Sequence, residues 1–106
     1  MNESRISQLL KFLSANPKDS FVKFALALEY GKLGDEEQML SYFREILADD
    51  PDYSGTYYHL GKLYERRNEL ATAGQIYREG IKRTAGKEQK AHQELQEALH
   101  QLLDED

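Results

Sequence analysis

The chain has 106 residues, no cysteine and a formal net charge of −5, with 31% of its side chains charged. That length fits one domain with a modest core, and the missing cysteine excludes disulfide and thiol chemistry. The acidic balance argues against non-specific binding to nucleic acid, and more weakly against an anionic membrane surface. No apolar run reaches the length of a membrane span. Met1 to Gln8 is polar and lacks the apolar core of a signal peptide, so a cytoplasmic protein is the expectation.

In chain order, Ile6, Leu9, Leu10, Phe12 and Leu13 recur at helical spacing and predict a first helix over 1–15, ended by Asn16-Pro17. A second helix is predicted over 20–33, with Asp19 or Ser20 as its cap and Gly34 as its stop. Asp35 is placed to cap a third over 36–48, which ends before Asp49-Asp50-Pro51. A fourth spans 53–67, with Asn68 in the stop position that Gly34 holds earlier. A fifth spans 69–84 before Ala85-Gly86, and a sixth 87–103 before the acidic tail Asp104-Glu105-Asp106. No strand or hairpin pattern interrupts the series.

The strongest feature is a period. Pro17 and Pro51 lie 34 residues apart. The same shift sets Leu26 on Leu60, Ala27 on Gly61, Tyr30 on Tyr64, Phe43 on Tyr77 and Arg44-Glu45 on Arg78-Glu79. A fixed period of this size, built from two helices, means stacked helix pairs. One copy reads Tyr57-x-x-Leu60-Gly61-x-x-Tyr64 followed by Ala73-x-x-x-Tyr77. The other reads Lys23-x-x-Leu26-Ala27-x-x-Tyr30, then Met39-x-x-x-Phe43, then Pro51.

These residues resemble the tetratricopeptide repeat (TPR) family. The first copy departs from the family pattern at Lys23, where an aromatic is preferred, and at Met39, where a small residue is. The second has Ala85 in place of the closing proline. The resemblance implies an all-α, right-handed α-solenoid of antiparallel helix pairs, about six helices in a single domain over 1–106. Residues 1–16 form an N-terminal helix, 20–51 and 54–85 two full repeats, and 87–103 a capping helix. Gly61 and Ala27 mark close helix crossings, and Leu26, Leu60, Tyr30 and Tyr64 fill each pair. Phe43 and Tyr77 are expected to project toward the next pair. The capping helix shows an apolar stripe of Ala91, Leu95, Ala98, Leu99 and Leu102 opposite a solvated face of Lys90, Gln93, Glu94, Glu97 and Gln101.

Nothing in the sequence assembles catalysis. His92 and His100 are too far apart along a helix to share a metal, and read as solvated surface groups; His59 reads as packed or surface. No carboxylates are paired in an apolar setting, and there is no phosphate-binding glycine loop or nucleophile elbow. Glu36-Glu37 read as helix N-terminal charge. The expectation is a non-enzyme with no cofactor and no metal.

The binding reading starts from the second helix, which is apolar nearly all round. Phe21, Phe24 and Leu28 form a second stripe, covered by a partner peptide, by a second copy of the chain or by the N-terminal helix. The family resemblance implies a ligand in a concave groove lined by the first helices of the pairs. That groove takes Phe21, Phe24, Leu28 and Lys32 from the first repeat, and Gly55, Tyr58, Lys62, Glu65 and Arg66 from the second. Gln93 and Glu97 are added by the closing helix. Lys62 and Arg66 suit a peptide carrying a carboxylate, or are solvated charges paired with Glu65 or Glu69. The Lys and Asn of the carboxylate clamp that grips chaperone C-termini are replaced here by Phe24 and Leu28, so that ligand is not expected. The expected function is a protein–protein interaction adaptor or scaffold holding a peptide or protein, with no nucleic acid and no membrane. The alternatives are a homodimer through the Phe21/Phe24/Leu28 stripe, or a small secretion-type chaperone.

Overall fold

Six α-helices form among the described residues, and the computed structural model describes residues 2–104. They are α1 (Asn2–Ala15), α2 (Ser20–Lys32), α3 (Glu36–Asp49), α4 (Gly55–Arg66), α5 (Leu70–Thr84) and α6 (Gln89–Leu103). The helix ends follow local chemistry. The Asp19 carboxylate accepts from the Val22 N–H at 3.1 Å, and Asp35 from the Gln38 N–H at 3.2 Å, each satisfying a free donor of a first turn. Gly34 and Asn68, at φ 80° and 59°, take the left-handed conformation that stops α2 and α4. Six predicted ends shift by one or two residues: Leu33, Arg67, Glu69 and Lys87–Glu88 fall outside their helices. Asp49 belongs to α3 rather than to the turn, and Tyr53 precedes α4. Met1, Glu105 and Asp106, placed by the sequence in the first helix and the tail, lie outside the described residues.

The helices divide into two compact units, 1–53 and 54–106. In the first, α2 packs against both α1 and α3. Ile6 and Leu9 of α1 meet Val22, Ala25 and Leu26 of α2, with Tyr30 and Tyr42 at the edge. In the second unit α5 packs against α4 and α6. Leu95, Ala98 and Leu102 of α6 are buried, which is the stripe the sequence showed. His92 is not the solvated group its sequence position suggested. Its Nδ1 lies 3.0 Å from the Ile81 carbonyl and 3.1 Å from Thr84 Oγ1. A carbonyl only accepts, so Nδ1 carries the proton and ties α6 to the end of α5.

Each unit closes on a close helix crossing. A Cβ on Gly61 would lie 2.2 Å from Cε1 of Tyr77, so the Tyr77 ring occupies the place of a side chain at residue 61. The ring therefore fills its own pair, where the sequence reading had sent it toward the next one. The Tyr77 hydroxyl donates to the Glu65 carboxylate, and burial followed by that bond pushes its pKa far above the ordinary phenol range. A Cβ on Gly80 would come within 2.6 Å of Tyr57 Cβ.

The two repeats divide the same space differently. At equivalent positions, Tyr77 over Gly61 corresponds to Phe43 and Ala27. Tyr57 beside Gly80 corresponds to Lys23 and Ile46, and Glu65 with Ala73 corresponds to Gly31 with Met39. A Cβ on Gly31 would lie 2.9 Å from Met39 Sδ, so the large Met39 is matched by the absence of a side chain at residue 31. This accounts for the departure from the family pattern at Met39: volume is conserved across the pair rather than at one residue.

Lys23, the other departure, is buried at 3% exposure. Its ammonium lies 3.3 Å from Glu45 and 3.3 Å from Asp49, both on α3 and half-exposed. Glu29 stands where the second repeat has the buried Leu63. Its Oε2 accepts from Arg5 Nε at 3.0 Å and Lys32 Nζ at 3.3 Å. Its Oε1 is buried with no hydrogen-bond partner among the described residues. Such groups add little net stability, because desolvation offsets the attraction.

Four outcomes are expected. Gly61→Ala drives a methyl into an aromatic ring that has no room to swing away, and should cost about 1–3 kcal/mol. Gly61→Leu should leave the chain largely unfolded; an unchanged melting temperature in thermal circular dichroism would refute this packing. Lys23→Met should be neutral or stabilising, whereas Glu45→Gln with Asp49→Asn strands a buried ammonium and should cost about 1–3 kcal/mol in urea denaturation.

Candidate binding surfaces

In the first unit, the three sides of α2 have different fates. Val22, Ala25 and Leu26 face α1, and Lys23 and Ala27 are buried on the side toward α3. The remaining side carries Phe21, Leu28 and Lys32, which recur at i, i+7 and i+11. Phe21 is 62% exposed, so α1 does not fold over it. Leu28 is half-buried. Phe24, predicted with this stripe, leans inward: its ring centroid is 6.0 Å from Phe43 and 5.5 Å from Tyr53. Lys32 is exposed and bonded to Glu29.

In the second unit, Gly55 opens α4, and Tyr58 and Lys62 follow on one side of it. Lys62 Nζ stands 5.5 Å from the Tyr58 ring centroid and 3.8 Å from Glu65 Oε2. The same Glu65 oxygen, Oε2, thus accepts from the Tyr77 hydroxyl and faces the Lys62 ammonium. Arg66 is exposed at the last turn. A cleft of about 250 Å³ opens between α4 and α6, lined by Tyr58, Lys62, Glu94, Glu97, Ala98 and Gln101. The sequence placed Glu97 here but read Glu94 and Gln101 only as solvated. Their spacing from Glu97, at three and four residues, was the signal that they share its edge. Gln93 is exposed and does not line the cleft.

His59 packs edge-on against Tyr58, with centroids 5.6 Å apart at 86°. Burial, and secondarily the Arg66 charge, hold its pKa below the ordinary imidazole value. No group of three metal-ligating side chains occurs among the described residues. No helix among them is long and apolar enough to cross a membrane.

Paired helices of 34-residue period, closed on a glycine–aromatic crossing, define a helical-repeat protein. The tetratricopeptide repeat family model matches residues 22–53 and 54–87, and the chain belongs to that family. A TPR repeat-containing protein of Pseudomonas aeruginosa is 29% identical over 76 residues, 72% of each chain. A solution NMR structure of a tetratricopeptide repeat domain protein from Salinibacter ruber is 41% identical, with a TM-score of 0.80. It covers 85% of this chain and 92% of that one. A crystal structure of a tetratricopeptide repeat domain protein from the same organism is 40% identical, with a TM-score of 0.78, covering 83% and 99%. The fold is thus an all-α, TPR-like solenoid, and the repeat is in general a non-catalytic protein-interaction module.

The depressed His59 pKa has a signed consequence. The unfolded chain binds a proton near pH 6.5 that the folded chain takes up only at lower pH. The stability linked to this group is complete above about pH 6.5 and is lost as pH falls through the folded value. Urea denaturation should show that decline starting below pH 6.5, and His59→Gln should flatten its upper part. An equal slope in both proteins would contradict the packing of His59.

Proposed function

We propose that the chain binds a segment of another protein along the first helices of its repeats. Phe21 and Leu28 supply apolar contact on the first unit, and Tyr58, Lys62 and Arg66 supply aromatic and charged contact on the second. The observation that carries this reading is Phe21. A phenylalanine 62% exposed on a helix whose other two sides are packed has no structural duty within its unit. Large aromatics are the usual anchors of protein interfaces. Repeat domains of stacked helix pairs offer extended surfaces for such contact.

Phe21→Ser with Leu28→Ser is the appropriate probe, because Phe24 braces the interior and its loss would confound folding with binding. The double variant should keep its helicity and melting temperature within a few degrees, and lose the peptides that the wild-type chain selects from a random displayed library. Selection unaffected by the substitutions would refute this surface. Light scattering across concentration should give a monomer. A dimer that the double variant dissociates would make the stripe a contact between copies instead.

A further inference from the structure

We infer that the α4–α6 cleft takes a basic side chain of the bound segment, an arginine or a lysine, between the Tyr58 ring and the carboxylates of Glu94 and Glu97. This rests on the peptide-binding reading above and adds the chemistry of the ligand.

The cleft's own cation is already engaged. Lys62 lies against Glu65 at 3.8 Å and over the Tyr58 ring at 5.5 Å. Glu65 in turn is oriented by the Tyr77 hydroxyl, so this carboxylate is fixed from the core outward. Opposite them, Glu94 and Glu97 are exposed on successive positions of one α6 edge. Neither has a hydrogen bond or ion pair among the described residues. The lining therefore presents two uncompensated negative charges against one compensated positive charge. A ligand carboxylate entering here would meet Glu94 and Glu97; a ligand cation would be drawn to both.

The shape agrees with the charge. Ala98, 3% exposed, forms a low floor between the acidic edge and the ring. The volume of about 250 Å³ suits one long side chain rather than a folded element. Lys62 shows that the Tyr58 ring accepts a cation in this setting. A planar guanidinium can stack on that ring while donating to a carboxylate and to the Gln101 side-chain carbonyl, which favours arginine over lysine. The attraction is partly solvated, so it contributes selectivity more than affinity.

The test uses the full chain, 15N-labelled, titrated with three decapeptides: alternating Gly-Arg, alternating Gly-Glu, and Gly-Ser. Gly-Arg should shift the amides of Tyr58, Ala98 and Gln101 saturably, and Gly-Ser should not. Glu94→Gln with Glu97→Gln should weaken Gly-Arg binding about fivefold or more, with helicity unchanged. Lys62→Met should strengthen it, because the competing cation is gone. Three results would overturn the inference. Gly-Glu could shift these amides and be weakened by Lys62→Met, which would leave the peptide-binding surface standing but reverse its chemistry. Gly-Arg could shift amides beside Asp35, Glu36 and Asp50 equally, indifferent to the Glu94 and Glu97 substitutions. Or no peptide could shift the cleft while Phe21→Ser with Leu28→Ser still abolishes library selection, in which case the cleft fails and the Phe21 surface remains.

Discussion

The second unit depends on one close approach: the ring of Tyr77 lying where a side chain on Gly61 would be. Two helices can cross that tightly only if one contributes no side chain at the crossing. The aromatic then replaces the missing volume and excludes water. From that contact outward, the Tyr77 hydroxyl fixes Glu65, and Glu65 holds Lys62 beside Tyr58. The core contact and the surface cleft are consecutive links in one chain of neighbours. A packing defect at residue 61 would therefore disturb the Tyr58 and Lys62 side of α4 before it unfolded the unit.

The first unit meets the same requirement by other means. Phe43 lacks the hydroxyl of Tyr77, and Gly31 lacks the carboxylate of Glu65, so the polar link vanishes as a pair. In its place stand Lys23 and Glu29, buried charges: Lys23 is paired with two carboxylates of α3, and Glu29 is paired through Oε2 alone with Arg5 of α1 and Lys32 of α2. Interiors of this kind trade little stability for defined geometry: a buried ammonium between two carboxylates admits fewer registers than an apolar contact does. Glu29 also joins Arg5 of α1 and Lys32 of α2 at one point, while Ile6 and Leu9 seat α1 on the Val22 side and leave Phe21 exposed.

The fold was legible in the sequence because it rests on period and punctuation. The 34-residue repeat, the stops at Gly34 and Asn68 and the caps at Asp19 and Asp35 are each local signals with a local cause. The stripe of α6 and the small residue at 61 were legible for the same reason. What escaped was the pairing of distant residues. The partnership of Met39 with Gly31, the inward tilt of Phe24 toward Tyr53 and the tie of His92 to Ile81 join positions that no single-helix pattern connects. The chemistry of the α4–α6 cleft was hidden likewise. The sequence offered Glu65 as a partner for Lys62 but did not choose it over a ligand carboxylate, and Glu94 reads as solvated until α4 stands opposite.

The central claim is that large and small residues in each pair are coupled, so that the repeats conserve shared volume rather than identity. A double-mutant cycle on Gly61→Ala and Tyr77→Leu, read by urea denaturation, tests it directly. A smaller side chain at residue 77 should relieve the clash that Gly61→Ala creates. The double variant is then expected to be more stable than the sum of the single losses by about 1 kcal/mol or more. Single losses that add to within about 0.5 kcal/mol would contradict the account.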